Sequence, residues 1–300
     1  MSNLLKILAG LLVLIIAAFV IFQYVTPHEN LVEKNVERLL REGKTREAER
    51  IVDENLSPSE PIYHILKGRI FVEEAEYYQA LRELQSVVYK TLNDDQKAKL
   101  IGELIYLAQK AASDGRNQIA RKAYEYLLQL EPDYDLGEGF KFLAEFYFKG
   151  GEFGHSIPYF ERYISQTGNL DAVLNEYVKA LFEEGEYDRI LRLRDEILSN
   201  GDDNAQRYLL FSIYYLARDD YQKGNYQAAI DLLKEFFNIA RQVGQPRYVW
   251  EDAALLLADC YRELGDIENA RRWYENILVF GETENKRIAE QRLKELEVRP

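Results

Sequence analysis

From residue 30 onward, one helical pattern after another is cut off at a nearly constant interval. Gly43, Gly115, Gly151, Gly185, Gly224 and Gly265 each end an apolar stripe of helical period, and a second stripe begins directly after. Ala75 stands at the equivalent place between the first two glycines, and the successive turns lie 32, 40, 36, 34, 39 and 41 residues apart. Self-similarity at this period means stacked helix–turn–helix units. Each unit fails to bury its apolar face alone, so the array rather than the single pair is the stable structure. Almost no alternation of β type interrupts the pattern. The spacing therefore predicts an all-α chain of about seven helical pairs.

Composition narrows the function classes. With 47% hydrophobic and 30% charged residues, most of the chain can bury a core, which excludes general disorder. The balance of 38 basic against 51 acidic residues, −13 in all, argues against a sequence-independent grip on nucleic acid. Much of that acidic excess reads as a solvated helical surface laced with i,i+4 pairs. A single cysteine, Cys260, excludes an intramolecular disulfide and any cysteine-cluster metal site, and reads as an inert buried thiol. His28, His64 and His155 are scattered, without ligand-spaced partners. The Asp133-x-Asp135 run begins like a calcium loop, but Glu138 replaces the required glycine and Ala144 the final glutamate, so it reads as an inter-repeat turn. No P-loop, dinucleotide fingerprint or Gly-x-Ser-x-Gly elbow occurs. The expectation is a non-catalytic chain with no cofactor, no metal and no small-molecule substrate.

Ahead of the repeats, residues 4–25 read LLKILAGLLVLIIAAFVIFQYV, without a polar side chain from Ile7 to Phe22. As a helix, a segment of this length spans roughly 33 Å, enough for a hydrocarbon core of about 30 Å. The run is longer than a signal-peptide apolar region and lacks an Ala-x-Ala cleavage site, so it reads as an uncleaved single transmembrane anchor. Lys6 precedes it, and TPHENLVE follows with no basic residue before Lys34, which favours an extracytoplasmic body. Lys34, Arg38, Arg41 and Lys44 weigh against that orientation. Residues 26–30 form a short linker.

The residues around the turns carry a resemblance. Leu257, Ala258, Tyr261, Gly265, Ala270 and Tyr274 fill six successive signature positions: Leu-small-x-x-aromatic, a turn glycine, a small residue five later and an aromatic four beyond. Leu143, Ala144, Tyr147, Gly151, Ser156 and Phe160 occupy the same slots, and Leu107, Ala108, Gly115, Ala120, Tyr124 and Pro132 fit a third copy. These residues resemble the tetratricopeptide repeat. Copies near 29–60, 61–94 and 210–245 are partial, and 171–204 is degenerate, with Val178, Ile190 and Arg194 where small or aromatic residues belong. With 101–134, 137–170 and 251–284 they make seven units across 31–284, followed by a capping helix at 285–298. The resemblance implies an α–α superhelix (a solenoid) that binds a protein or peptide partner. Anchor plus repeats is similar in layout to bacterial envelope scaffolds, which implies an inner-membrane protein with periplasmic repeats supporting complex assembly; the alternatives are a cytoplasmic-facing adaptor and the tethered regulatory subunit of an enzyme complex. Rubredoxin-like members and lipoprotein members need cysteines that this chain lacks.

In such repeats the first helix of each pair, helix A, lines the concave face. Carrying its positions over gives Lys141, Glu145, Phe148 and Lys149 in one unit; Asn175, Lys179 and Phe182 in the next; and Phe211, Tyr214, Arg218, Tyr221 and Gln222 in the following one. Of these, Lys141, Phe148, Asn175, Lys179, Phe182, Tyr214, Arg218 and Tyr221 are the expected partner-binding residues. The carboxylate clamp of chaperone-binding members is not met, because Glu145 follows Lys141 and Phe211 and Tyr215 replace the last basic pair. Basic groups among aromatics suggest an extended segment with apolar anchors and some acidic character. The competing reading has several of these aromatics, Phe211 foremost, packing between repeats.

Overall fold

A computed structural model describes residues 28–244, 247–281 and 283–298. The expected membrane anchor at 4–25 lies outside the described residues. Within them, no helix is long and apolar enough to cross a membrane. The described part is all helical: sixteen α-helices and one short 3-10 turn. It divides into two compact units, the first ending at Leu136 and the second starting at Gly137.

Unit 1 contains α1 (His28–Arg41), α2 (Thr45–Asn55), α3 (Pro61–Glu73), α4 (Tyr77–Ser86), α5 (Asp94–Ser113) and α6 (Asn117–Leu130). Residues 28–30, expected as linker, already belong to α1. Each helix packs on its successor, and α1, α3 and α5 also touch in that order, so the first helices of the pairs form one layer. Val36, Val52, Ile70, Leu84, Leu100, Leu104 and Leu107 are buried between the layers. At Gly68 the α3–α4 crossing is tight: a Cβ there would meet Leu84 Cδ2 at 2.7 Å and Cγ at 2.8 Å, so any side chain at this position requires the buried Leu84 to shift. Asn93 and Gln96 form a reciprocal capping box that starts α5 at Asp94, seven residues before the expected repeat boundary at 101.

Unit 2 contains α7 (Glu138–Lys149), α8 (Phe153–Thr167), α9 (Leu174–Glu183), α10 (Tyr187–Arg192), α11 (Arg194–Asn200), α12 (Asp203–Gln222), α13 (Tyr226–Val243), α14 (Arg247–Glu263), α15 (Ile267–Phe280) and α16 (Thr283–Val298). Again α7, α9, α12 and α14 touch in sequence, and α16 packs on both α14 and α15. The small signature residues Ala144, Ser156, Ala258 and Ala270 have no exposed surface, so these paired helices meet at close range. The degenerate stretch 171–204 differs from its neighbours. Its second helix breaks at Leu193 into α10 and α11, of six and seven residues.

Every intra-pair turn is built alike. At Gly265 the amide donates to Arg262 O (3.0 Å) and the next amide, Asp266 N–H, reaches back to Tyr261 O (2.9 Å). This six-to-one bond closes the helix only if the glycine adopts a left-handed backbone, and its φ is +78°. The turn at Ala75 makes the same bonds, Ala75 N–H to Val72 O (3.0 Å) and Glu76 N–H to Phe71 O (2.8 Å), with Ala75 at φ +59°. An L-residue held there costs about 1 kcal/mol, which the surrounding pair sustains.

Candidate functional site: the first-helix face of unit 2

The expected binding residues lie on α7, α9 and α12. These are consecutive neighbours in unit 2, so the side chains share one layer of first helices. None of the eight is among the fully buried core residues.

Phe148, near the end of α7, has its ring 5.4 Å from Phe153 and 6.3 Å from Phe160 of α8. Lys179, one helix along, places its ammonium 5.5 Å from the Phe148 ring centre and 5.8 Å from that of Phe153. Phe182 is the centre of a second group. Its ring lies 4.7 Å from Tyr208, 6.2 Å from Phe211 and 6.2 Å from Tyr215, all on α12, and 5.6 Å from Tyr187 on α10. Arg218 then sets its guanidinium 4.9 Å from the Tyr215 ring and 5.9 Å from that of Tyr214. A cation facing an aromatic ring gains from the ring quadrupole, about 0.5–1 kcal/mol at exposed sites.

The remaining residues do other things. Lys141 lies 6.0 Å from the Tyr163 ring of α8, apart from both aromatic groups. Asn175 Oδ1 accepts from the Asp202 amide (3.0 Å), which fastens α9 to the turn before α12. Tyr221 pairs with Tyr226 across the next turn at 5.4 Å. Burial raises the hydroxyl pKa of both Tyr214 and Tyr221, so both stay protonated donors in neutral solution.

Thus Phe148 with Lys179, and Tyr214 with Arg218, are brought together, whereas Lys141, Asn175 and Tyr221 are held by separate neighbours. Phe148 and Phe182 are half-buried rings shared between packing and surface, as is Phe211. Four residues outside the expected set, Phe153, Tyr187, Tyr208 and Tyr215, complete the aromatic groups. Phe153 and Tyr187 each follow a turn glycine by two residues, which is the readable signal that they face back onto the first helix.

Several cations of the molecule are paired: Lys67 with Glu49 at 2.6 Å, Lys99 with Glu33 at 2.6 Å, Arg194 with Glu235 at 2.7 Å and, on α7 itself, Lys149 with Glu145 at 2.9 Å. Lys141, Lys179 and Arg218 have no ion-pair partner among the described residues; their recorded contacts are with rings.

The other titratable residues singled out from sequence sit in packing roles. Cys260 is buried, and burial pushes its thiol up to about 12, so it stays a neutral thiol. His64 has a partner that local spacing does not disclose: Glu83 Oε2 lies 2.8 Å from its Nδ1, with Pro58 O 2.9 Å from Nε2. Among the described residues, no three or more His, Cys, Asp or Glu side chains are placed to hold a metal ion.

Solved structures similar to the chain include the C-terminal part of a TPR repeat-containing protein from Cytophaga hutchinsonii. It is 18% identical, with 85% of this chain and 97% of that one covered, at a TM-score of 0.36. A tetratricopeptide repeat protein from Parabacteroides merdae is 14% identical, covering 90% and 99%, at 0.37. The pilF protein of Pseudomonas aeruginosa is 13% identical, covering 88% and 97%, at 0.35. At scores this low, these likenesses carry no functional argument. No curated protein matches the chain. The family likeness in sequence lies over α14 and α15, where residues 251–278 match the Tetratricopeptide repeat.

Proposed function

We propose that this chain is a membrane-anchored, non-catalytic scaffold or adaptor that holds a partner segment along α7, α9 and α12. The observation that carries the reading is the pair of cations, Lys179 and Arg218, set over aromatic rings without carboxylate partners among the described residues. In a chain of net charge −13, where acidic side chains are plentiful, such cations remain available to a partner's carboxylates. The half-buried rings of Phe148, Phe182 and Tyr214 supply apolar contacts beside them. An extended segment with alternating apolar and acidic side chains fits that order. Tetratricopeptide-like pairing over α14 and α15 supports a protein-binding role of this kind.

Anchoring rests on the apolar run from Ile7 to Phe22, and an extracytoplasmic body on Lys6 preceding it. A role in envelope complex assembly follows from that placement. Protease treatment of intact cells and of spheroplasts tests the compartment. The repeats should be cut once the outer barrier is opened; digestion only after full lysis would instead place them in the cytoplasm.

The double variant Lys179→Glu/Arg218→Glu tests the binding face. Both side chains lie outside the fully buried core, so helicity and melting should stay near wild type. Capture of the native partner on the immobilised chain should fall at least tenfold, the order expected when two favourable charges become repulsive. Unchanged partners at unchanged yield would move the binding surface elsewhere.

A further inference from the structure

The chain contains two tryptophans, and both line one cleft in unit 2 that shares no residue with the face on α7, α9 and α12. Phe237 and Arg241 of α13, Trp250 of α14, and Trp273, Asn276 and Phe280 of α15 form its walls around a volume of about 540 Å³. That size is typical of ligand-holding clefts. Phe237 stacks on Trp273 at 4.8 Å and meets Trp250 edge-on at 5.6 Å, so three rings are fixed by one another. At the rim of the cleft Phe280 is 60% exposed, so one large apolar ring of the wall stays open to a partner.

Charge decides what fits. Arg241 donates from Nε to Phe237 O at 3.1 Å, which ties its guanidinium base to the cleft wall. It has no ion-pair partner among the described residues, whereas Arg262, Arg271, Arg272 and Arg292 of the same repeat region all pair with carboxylates. The one carboxylate in the wall, Glu251, is only 6% exposed and accepts from Asn285 Nδ2 at 3.3 Å, so it does not confront an incoming anion as a surface charge.

We infer that this cleft is a second binding site, taking a partner peptide in which large apolar side chains adjoin a carboxylate. The apolar side chains enter among Phe237, Trp250 and Trp273 and lie along Phe280, and the carboxylate pairs with Arg241. A peptide suits the site because the exposed Phe280 ring extends the apolar wall at the rim and Arg241 sets a cation in the same wall, so adjoining apolar and acidic side chains of one segment are met together.

Because both tryptophans line the cleft, intrinsic tryptophan emission reads its occupancy. The test uses the full chain held in an amphipathic polymer and the tryptophan-free probe acetyl-Gly-Leu-Phe-Asp-Gly-amide. A saturable change in emission is expected, and replacing the probe's Asp by Asn should weaken it about five- to tenfold. Arg241→Gln should weaken the Asp probe by the same factor and abolish the discrimination between probes. Asn276→Phe alters an exposed wall residue, so it leaves circular dichroism unchanged while filling the cleft and removing the response. Lys179→Glu/Arg218→Glu should leave the titration untouched, which keeps this site separate from the first-helix face. An absent or non-saturating response overturns the inference, as does equal affinity for the Asp and Asn probes. Saturation by decanoate with no response to the peptide also overturns it, and assigns the cleft to an anionic amphiphile.

Discussion

Replacing Tyr274 with alanine is expected to destabilise the C-terminal helices by about 3–5 kcal/mol, the range for deleting a fully buried aromatic ring. Tyr274 has no exposed surface and stands on α15 four residues after the small residue Ala270. Its hydroxyl donates to Asp259 Oδ1 on α14 at 2.6 Å, and the same oxygen lies 3.3 Å from Arg262 Nη1 and 3.5 Å from Arg292 Nε on α16. One side chain thus fills the space inside the last pair and supplies a donor to the carboxylate that ties all three helices together. Tyr274→Phe keeps the ring and removes the donor. It should cost about 1.5–3 kcal/mol, because Asp259 retains two arginines but loses its shortest hydrogen bond. Coupling in an array runs between neighbours, so hydrogen exchange should speed up in α14, α15 and α16 more than in α12 or α13. If the phenylalanine variant loses as much as alanine, or protection falls evenly from α7 to α16, the packing account given for this residue fails.

Tyr274 is also among the residues most easily read from sequence, and the reason is physical. A repeat signature records contacts inside one helical pair: the small residue lets two backbones approach, the aromatic fills what is left, and the glycine closes the turn. These contacts sit at fixed sequence offsets, so one copy such as 255–274 displays them. Ala75 was legible the same way, as the residue standing where a left-handed turn is needed. Contacts between pairs have no fixed offset, because they depend on how the next pair rotates. Local pattern therefore placed Phe148 and Phe182 on helix A but left open whether neighbouring rings would cover them. The structure sets Phe182 against Tyr208 of α12, 26 residues away, at 4.7 Å. The same holds for the cleft: Phe237, Trp250 and Trp273 come from three helices, and nothing in their spacing brings them together. Helix starts lay between these cases. Asp202 accepts from the Ala205 amide and so opens α12 at Asp203, seven residues ahead of the start at 210 that the repeat period gives.

The second large effect is one of pH, in unit 1. Glu103 of α5 faces Arg69 of α3, whose Nη1 lies 3.4 Å from its carboxylate. Arg69 is shared with Glu73 at 3.3 Å and stacks on the Tyr106 ring at 3.7 Å, while Lys99, the other nearby cation, is committed to Glu33 at 2.6 Å. Burial raises the Glu103 carboxyl from 4.5 to about 7, with Glu73 and Glu33 adding to the shift and Arg69 opposing it. In the unfolded chain the same group titrates near its ordinary value. Between about 4.5 and 7 the folded state therefore binds more protons than the unfolded state, and stability must fall as pH rises through that window. The bound on the effect is about 3 kcal/mol, taking roughly 1.4 kcal/mol for each pH unit of a difference from which the opposing pull of Arg69 is already subtracted. Carboxylates whose pKa is lowered, such as Glu42 and Glu284, act in the opposite sense and only below their ordinary range, so they leave this window clear. Hydrogen exchange of α3 and α5, corrected for the intrinsic rate at each pH, should show protection decreasing from pH 5 to pH 7.5. Glu103→Gln should be nearly flat over the same range and more protected than wild type at pH 7.5, because an amide occupies the site without charge. A wild-type profile that rises with pH would show that Arg69 rather than burial governs this carboxylate, and a glutamine variant with the same slope would show that another group sets the pH dependence.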